Sequence, residues 1–173
     1  MIITAGCRSF YGVTYGVEFR IWDLPEQGAR LAVPAHWKVQ EGDFFQLSSE
    51  GDLDEYKHLS FEYRGLPMPE ELVSMSQKKT YAYGWYDAFL VSYRNKQGVL
   101  LDKSQNEVEP EGTFQLIGQY EDEKLGTMIK FGLLHFRKGR LHALYYVAPK
   151  KGFEEIFDLF RAMESRHQFY APQ

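Results

Sequence analysis

The stretch MIKFGLLHFRKGRLHALYYV, Met128 to Val147, settles most of the fold. Two runs rich in apolar and aromatic residues flank Lys138-Gly139. Two-residue hairpin turns use backbone of positive φ, which glycine adopts freely. With Lys138-Gly139 as the turn, counting outward fixes the register: Arg137 faces Arg140, Phe136 faces Leu141, and His135 faces His142. Leu133–Leu144 and Phe131–Tyr146 continue the same face, with opposed Cβ atoms about 4.5–5.5 Å apart.

Upstream of this hairpin, Thr113 to Tyr120 reads as a third strand. Downstream, Pro149 and Gly152 break the chain. Phe153, Ile156, Phe157, Phe160 and Met163 then recur at the spacing of one helix face, predicting an amphipathic helix that buries these five residues across the sheet.

The first half alternates with period two. Val17, Phe19 and Ile21 share one face, Arg30 to Val33 is a short strand ending at Pro34, and Phe44–Leu47 and Leu59–Tyr63 flank an acidic turn at Glu50–Glu55. After Pro67 and Pro69, two acids at Glu70 and Glu71 predict a shorter helix near residues 69–79. Tyr83 to Tyr93 reads as a long aromatic strand carrying Trp85, Phe89 and Tyr93, turning at Arg94–Gly98 into Val99–Leu101. Asp102 to Gly112 is polar and reads as an exposed loop. The expectation is one α+β domain over residues 1–173: a twisted antiparallel sheet, a C-terminal helix on one face, and an N-terminal strand extension at 1–28.

Composition narrows the function classes. With 173 residues, 44% hydrophobic and 25% charged, the chain is built to fold as a globular domain rather than to stay disordered. No apolar run approaches the roughly 18 residues of a membrane span. One cysteine, Cys7, excludes an internal disulfide. Thr4-Ala5-Gly6-Cys7 is faintly like a lipoprotein cleavage site, but the six preceding residues supply neither a basic nor an apolar signal region, so a cytoplasmic location is expected. Charge is uneven: residues 1–126 carry 12 basic and 20 acidic residues, whereas 127–173 carry 8 and 4, a net of +4. A basic patch of that size on a chain of net −4 gives no nucleic-acid signature.

Several segments resemble the Mog1/PsbP-like domains, which include the DcrB-type group and the effector-associated (Eag) chaperones of type VI secretion. Leu31 to Trp37, with Pro34 and Trp37, looks like that family's strand ending in a Pro-x-x-Trp turn. Tyr86 to Gly98 looks like its central strand and turn, and Met128–Val147 with Phe153–Ser165 is similar to its closing unit. The extension at 1–28 and the acidic stretch at 102–112 depart from the pattern. The resemblance implies a binding scaffold without shared catalytic residues or cofactor: a chaperone or adaptor for a bacterial secreted effector, or an immunity protein that neutralises a toxin.

The residues themselves offer a partner surface more readily than a catalytic site. No G-x-S-x-G, Walker A, dinucleotide or H-E-x-x-H pattern is present, which leaves a small hydrolase with an unrecognised site as the alternative class. The paired His135 and His142, with Arg137 and Arg140, suit an acidic partner or a solvated hairpin tip; a metal would need a third ligand. Trp85, Phe131 and Tyr146 lie on strands read as apolar on both faces, which want both faces covered. The second cover is the N-terminal extension, a homodimer, or a protein partner on the face turned away from the C-terminal helix.

Overall fold

A computed structural model of the chain describes residues 2–4, 9–10, 13–14, 17–42, 46–50, 58–108 and 111–173. Cys7, Phe44-Phe45 and most of the acidic turn, Gly51 to Glu55, lie outside the described residues. Strands run in the order β1 (Ile2–Thr4), β2 (Ser9–Phe10), β3 (Val13–Thr14), β4 (Glu18–Leu24), β5 (Ala29–Pro34), β6 (Lys38–Gly42), β7 (Gln46–Glu50) and β8 (Ser60–Pro67). Helix α1 (Met75–Ser92) follows, then β9 (Val99–Val108), β10 (Glu111–Asp122), β11 (Gly126–Arg137), β12 (Arg140–Pro149), helix α2 (Phe153–Glu164) and β13 (Gln168–Phe169).

Among the described residues, seven strands form the main antiparallel sheet in the order β6-β7-β8-β12-β11-β10-β9, and β1-β4-β5-β13 form a smaller one. The β11–β12 hairpin has the register the sequence predicts, with His135 opposite His142 and Arg137 opposite Arg140. Lys138 and Gly139 take φ of 51° and 73°, both positive as this tight turn requires.

Two apolar layers flank the main sheet. On one face Phe61, Phe131, Leu133, Leu144 and Tyr146 join residues of β5 and of α2 in one cluster. Leu159, Phe160 and Met163 of α2 are buried there, whereas Phe153, Ile156 and Phe157 are only partly so. The helix is where its period places it, but its buried stripe is narrower than expected and shifted onto Leu159.

The opposite face is covered by α1, which corrects three expectations. Tyr83–Ser92 is helix, not strand, with Tyr93 as its C-cap, and the helix begins at Met75 rather than near 69. Its buried residues Met75, Lys78, Ala82, Tyr86 and Phe89 step by three or four, the period of a helix face. The start is set by Ser74, whose hydroxyl accepts from Gln77 N–H while the Gln77 side chain accepts from Ser74 N–H, a reciprocal capping box. Much of the second sheet face is thus covered by an internal helix, a cover the sequence did not predict, and β4, the longest described strand of the N-terminal extension, belongs to the α2 side. Phe89 lies against Gly118 of β10, where any Cβ would collide with its ring.

Asp102–Gly112 is also corrected. Its described residues are strand: Asp102–Val108 belongs to β9 and Glu111-Gly112 opens β10, with the two strands paired from Asp102–Ile117 to Val108–Glu111. Residues 101–107 are exposed because β9 is an edge strand. Its backbone hydrogen bonds hold it in the sheet while its side chains stay in water, so its composition is that of a loop.

Candidate functional site

The seven candidate partner residues separate into three environments. Phe131 and Tyr146 are fully buried in the core on the α2 face. His135 and His142 are 3% and 0% exposed. Thr113 Oγ1 is 2.9 Å from His135 Nδ1, and Tyr63 Oη is 2.9 Å from His142 Nδ1. Phe169 lies over both imidazoles, its ring centroid 4.3 Å from that of His142 and 5.2 Å from that of His135. Burial, reinforced by Arg137 and Arg140, pushes the pKa of His135 down to about 3 and that of His142 to about 4. These four residues are therefore interior groups, and the histidines are neutral at pH 7. No group of three or more His, Cys, Asp or Glu gathers as a metal site among the described residues.

Arg137 and Arg140 are half-buried at the hairpin end. Glu111 of β10 approaches this end, 4.0 Å from Arg137 Nη1 and 3.6 Å from Lys138 Nζ. Part of the local positive charge is thereby answered within the chain.

Trp85 has a different setting. It stands on the flank of α1 at the edge of a groove of about 480 Å³ on the sheet face turned away from α2. One wall is helical, formed by Trp85, Ala88, Ser92 and, just past the helix, Tyr93; the floor is sheet, with Glu62 and Arg64 of β8, Lys130 of β11 and Tyr145 of β12. α1 packs chiefly over β9 and β10, and the groove runs along its other flank, above Glu62 and Arg64 of β8. Alternation along β11 and β12 sends Phe131 and Tyr146 to the core but Lys130 and Tyr145 to this opposite face.

The groove is braced from inside. Trp85 Nε1–H donates to Tyr145 Oη at 2.6 Å, and the indole also rests on Gly132, which has no side chain to push it away. Lys130 Nζ lies 4.0 Å from the Tyr145 ring centroid and 5.4 Å from that of Tyr93. Burial pulls the Lys130 pKa below its ordinary value, opposed in part by Glu62. Glu62 accepts from Arg64 Nε at 2.7 Å and pairs with Arg64 Nη2 at 2.6 Å. Ser92 Oγ donates to the Phe89 carbonyl, and neither histidine nor cysteine is among the described lining residues.

Sequence reasoning found Trp85 but missed Lys130, Glu62, Arg64 and Tyr145 as its companions. A usable signal was present: Lys130 is the only charged residue of the run Met128–Phe136, so some special setting had to accommodate it. What was missing was the helix that makes the other wall.

No protein-family sequence model matches this chain, and no curated protein sequence does. The fold does have relatives. The chain superposes on cyanobacterial PsbP (CyanoP) from Synechocystis sp. PCC 6803 with a TM-score of 0.70 and 10% identity, covering 94% of this chain and 98% of that one. It superposes on the Ran-binding protein Mog1p from Saccharomyces cerevisiae with a TM-score of 0.55 and 9% identity, covering 90% and 97%. The chain has the Mog1/PsbP-like α+β fold.

Proposed function

We propose that this chain is a non-catalytic protein-binding module, and that its specific role is that of chaperone or adaptor for a bacterial secreted effector. The observation that carries the binding role is the open groove beside α1, walled by Trp85 and Tyr93 and floored by Arg64, Lys130 and Tyr145. Aromatic and arginine side chains are the types that most often carry interface energy. The occupant that fits is a partner segment with an apolar core and acidic flanks, because the groove combines aromatic walls with an excess of cations. Mog1p, a Ran-binding protein, supports the reading as a case of a protein-binding member of the same fold. No helix among the described residues is long and apolar enough to cross a membrane, so a partner rather than a span is the use we assign to the aromatic surface.

Affinity capture from the native host, followed by identification of the bound segment, tests this reading. Retention of an effector through an apolar segment supports the chaperone role. A folded toxin domain whose activity is inhibited on capture would replace it with an immunity role. Turnover of a small molecule without any protein partner would replace the binding class with a hydrolase.

A further inference from the structure

Lys130 is placed as a reader of charge rather than as a brace. It rises from a strand whose neighbours are apolar, and it is half-buried in the floor of the groove against the rings of Tyr93 and Tyr145. Beside it, Tyr145 Oη already accepts the Trp85 indole N–H, so the phenol still has its own hydrogen to donate. An ammonium and a phenol donor therefore share one aromatic-walled space. Glu62, the only acid among the lining residues, is bound at close range by Arg64. Taken together, Arg64 and Lys130 against Glu62 leave the groove one positive charge in excess.

We propose that this pocket holds the anchor of the partner polypeptide, an aromatic residue with one Asp or Glu beside it, and that Lys130 is the residue that selects the acid. The proposal rests on the protein-binding reading above and adds the chemistry of the segment recognised. The aromatic ring stacks between Trp85 and Tyr93, and the carboxylate accepts from Lys130 Nζ and Tyr145 Oη. Lys130 has lost hydration to the surrounding rings, as its lowered pKa reflects. A carboxylate restores a strong partner to it where water is scarce, and a charge-assisted hydrogen bond is about twice as strong as a neutral one. A volume of about 480 Å³ takes one aromatic side chain and its neighbour, not a folded surface.

The test is a phage-displayed random heptapeptide library panned on the full chain, on Lys130→Met and on Lys130→Arg. Wild type and Lys130→Arg are expected to enrich an aromatic residue within two positions of an acid, and Lys130→Met the aromatic without the acid. An enriched peptide should bind Lys130→Met about tenfold more weakly by fluorescence anisotropy, and its Asp→Asn form should bind wild type and Lys130→Met alike. Ala88→Glu, a change at an exposed helix position that puts bulk and negative charge into the groove without touching the core, should abolish binding while leaving the thermal midpoint unchanged. Enrichment without acids, or binding indifferent to Ala88→Glu, overturns the proposal. Stronger competition by free indole-3-propionate than by the peptide overturns the commitment to a polypeptide. A native partner captured equally by wild type, Lys130→Met and Ala88→Glu overturns the anchor while the protein-binding reading stands.

Discussion

Phe157 and Phe160 sit one helical turn apart and have unlike surroundings. Phe160 is fully buried against Tyr146, at 5.0 Å between centroids, whereas Phe157 is only partly buried against Phe131 and Phe153. Replacing a fully buried Phe by Ala typically costs about 3–5 kcal/mol in lost transfer energy and a residual cavity. Phe160→Ala is expected to cost that much, and Phe157→Ala clearly less because its site opens to water. Urea melts of the two variants check this, and equal losses would show α2 docked in another rotation. Both residues were legible as one apolar face. Their ranking was not, because it depends on how far α2 overhangs the sheet. The hairpin histidines teach the same lesson: counting from Lys138-Gly139 paired them correctly, but their burial depends on distant residues such as Tyr63 and Phe169.

Helix α1 is the element that determines the site. Aromatic residues occur around much of it, with Tyr81 and Tyr83 exposed, Trp85 half-buried and Tyr86 and Phe89 buried. A segment with large side chains on several faces has no clean apolar stripe, and aromatics favour strands by propensity. The capping box was the readable sign, Ser74 followed three residues later by Gln77. Removing it with Ser74→Ala is expected to cost about 1 kcal/mol, the usual loss of an N-cap side chain. Hydrogen exchange should localise the effect to faster amides over the first turn of α1. An unchanged melt and unchanged exchange would mean that packing of Met75 and Lys78 alone sets where the helix starts. β9 posed the opposite difficulty, a strand written in loop residues because only its backbone is engaged.

At the scale of the whole molecule, two buried imidazoles, His135 and His142, and the partly buried His167 tie the α2 face to pH. His167 Nδ1 accepts the Ala32 N–H at 3.0 Å, so its hydrogen is on Nε2, 2.8 Å from Tyr146 Oη. Burial lowers its pKa to about 3, as it does that of His135, with His142 at about 4. In the unfolded chain all three return to about 6.5. Because the folded values are depressed, the unfolded state binds more protons below pH 6.5. The stability these neutral imidazoles confer is complete above that value and is lost as pH falls toward the folded values, about 4 for His142 and about 3 for His135 and His167. Each contributes a slope of up to about 1.4 kcal/mol per pH unit in that window. Denaturant melts at pH 7 and pH 5 should therefore differ by several kcal/mol, before ordinary carboxylates titrate. A flat profile between those values would show that the imidazoles reach water in the folded state.

Local chemistry written in the chain settled the hairpin, its register and the period of α2, since a tight turn and a repeat of 3.6 act over a few neighbours. It also placed Trp85 among the residues of interest. Contacts between distant segments decided the rest: that α1 packs over much of the second face, that Phe169 closes over the histidines, and that a groove remains between α1 and β8 with Lys130 in its floor. Burial and pKa belong to the space around a group, and that space is enclosed by segments far apart in the chain.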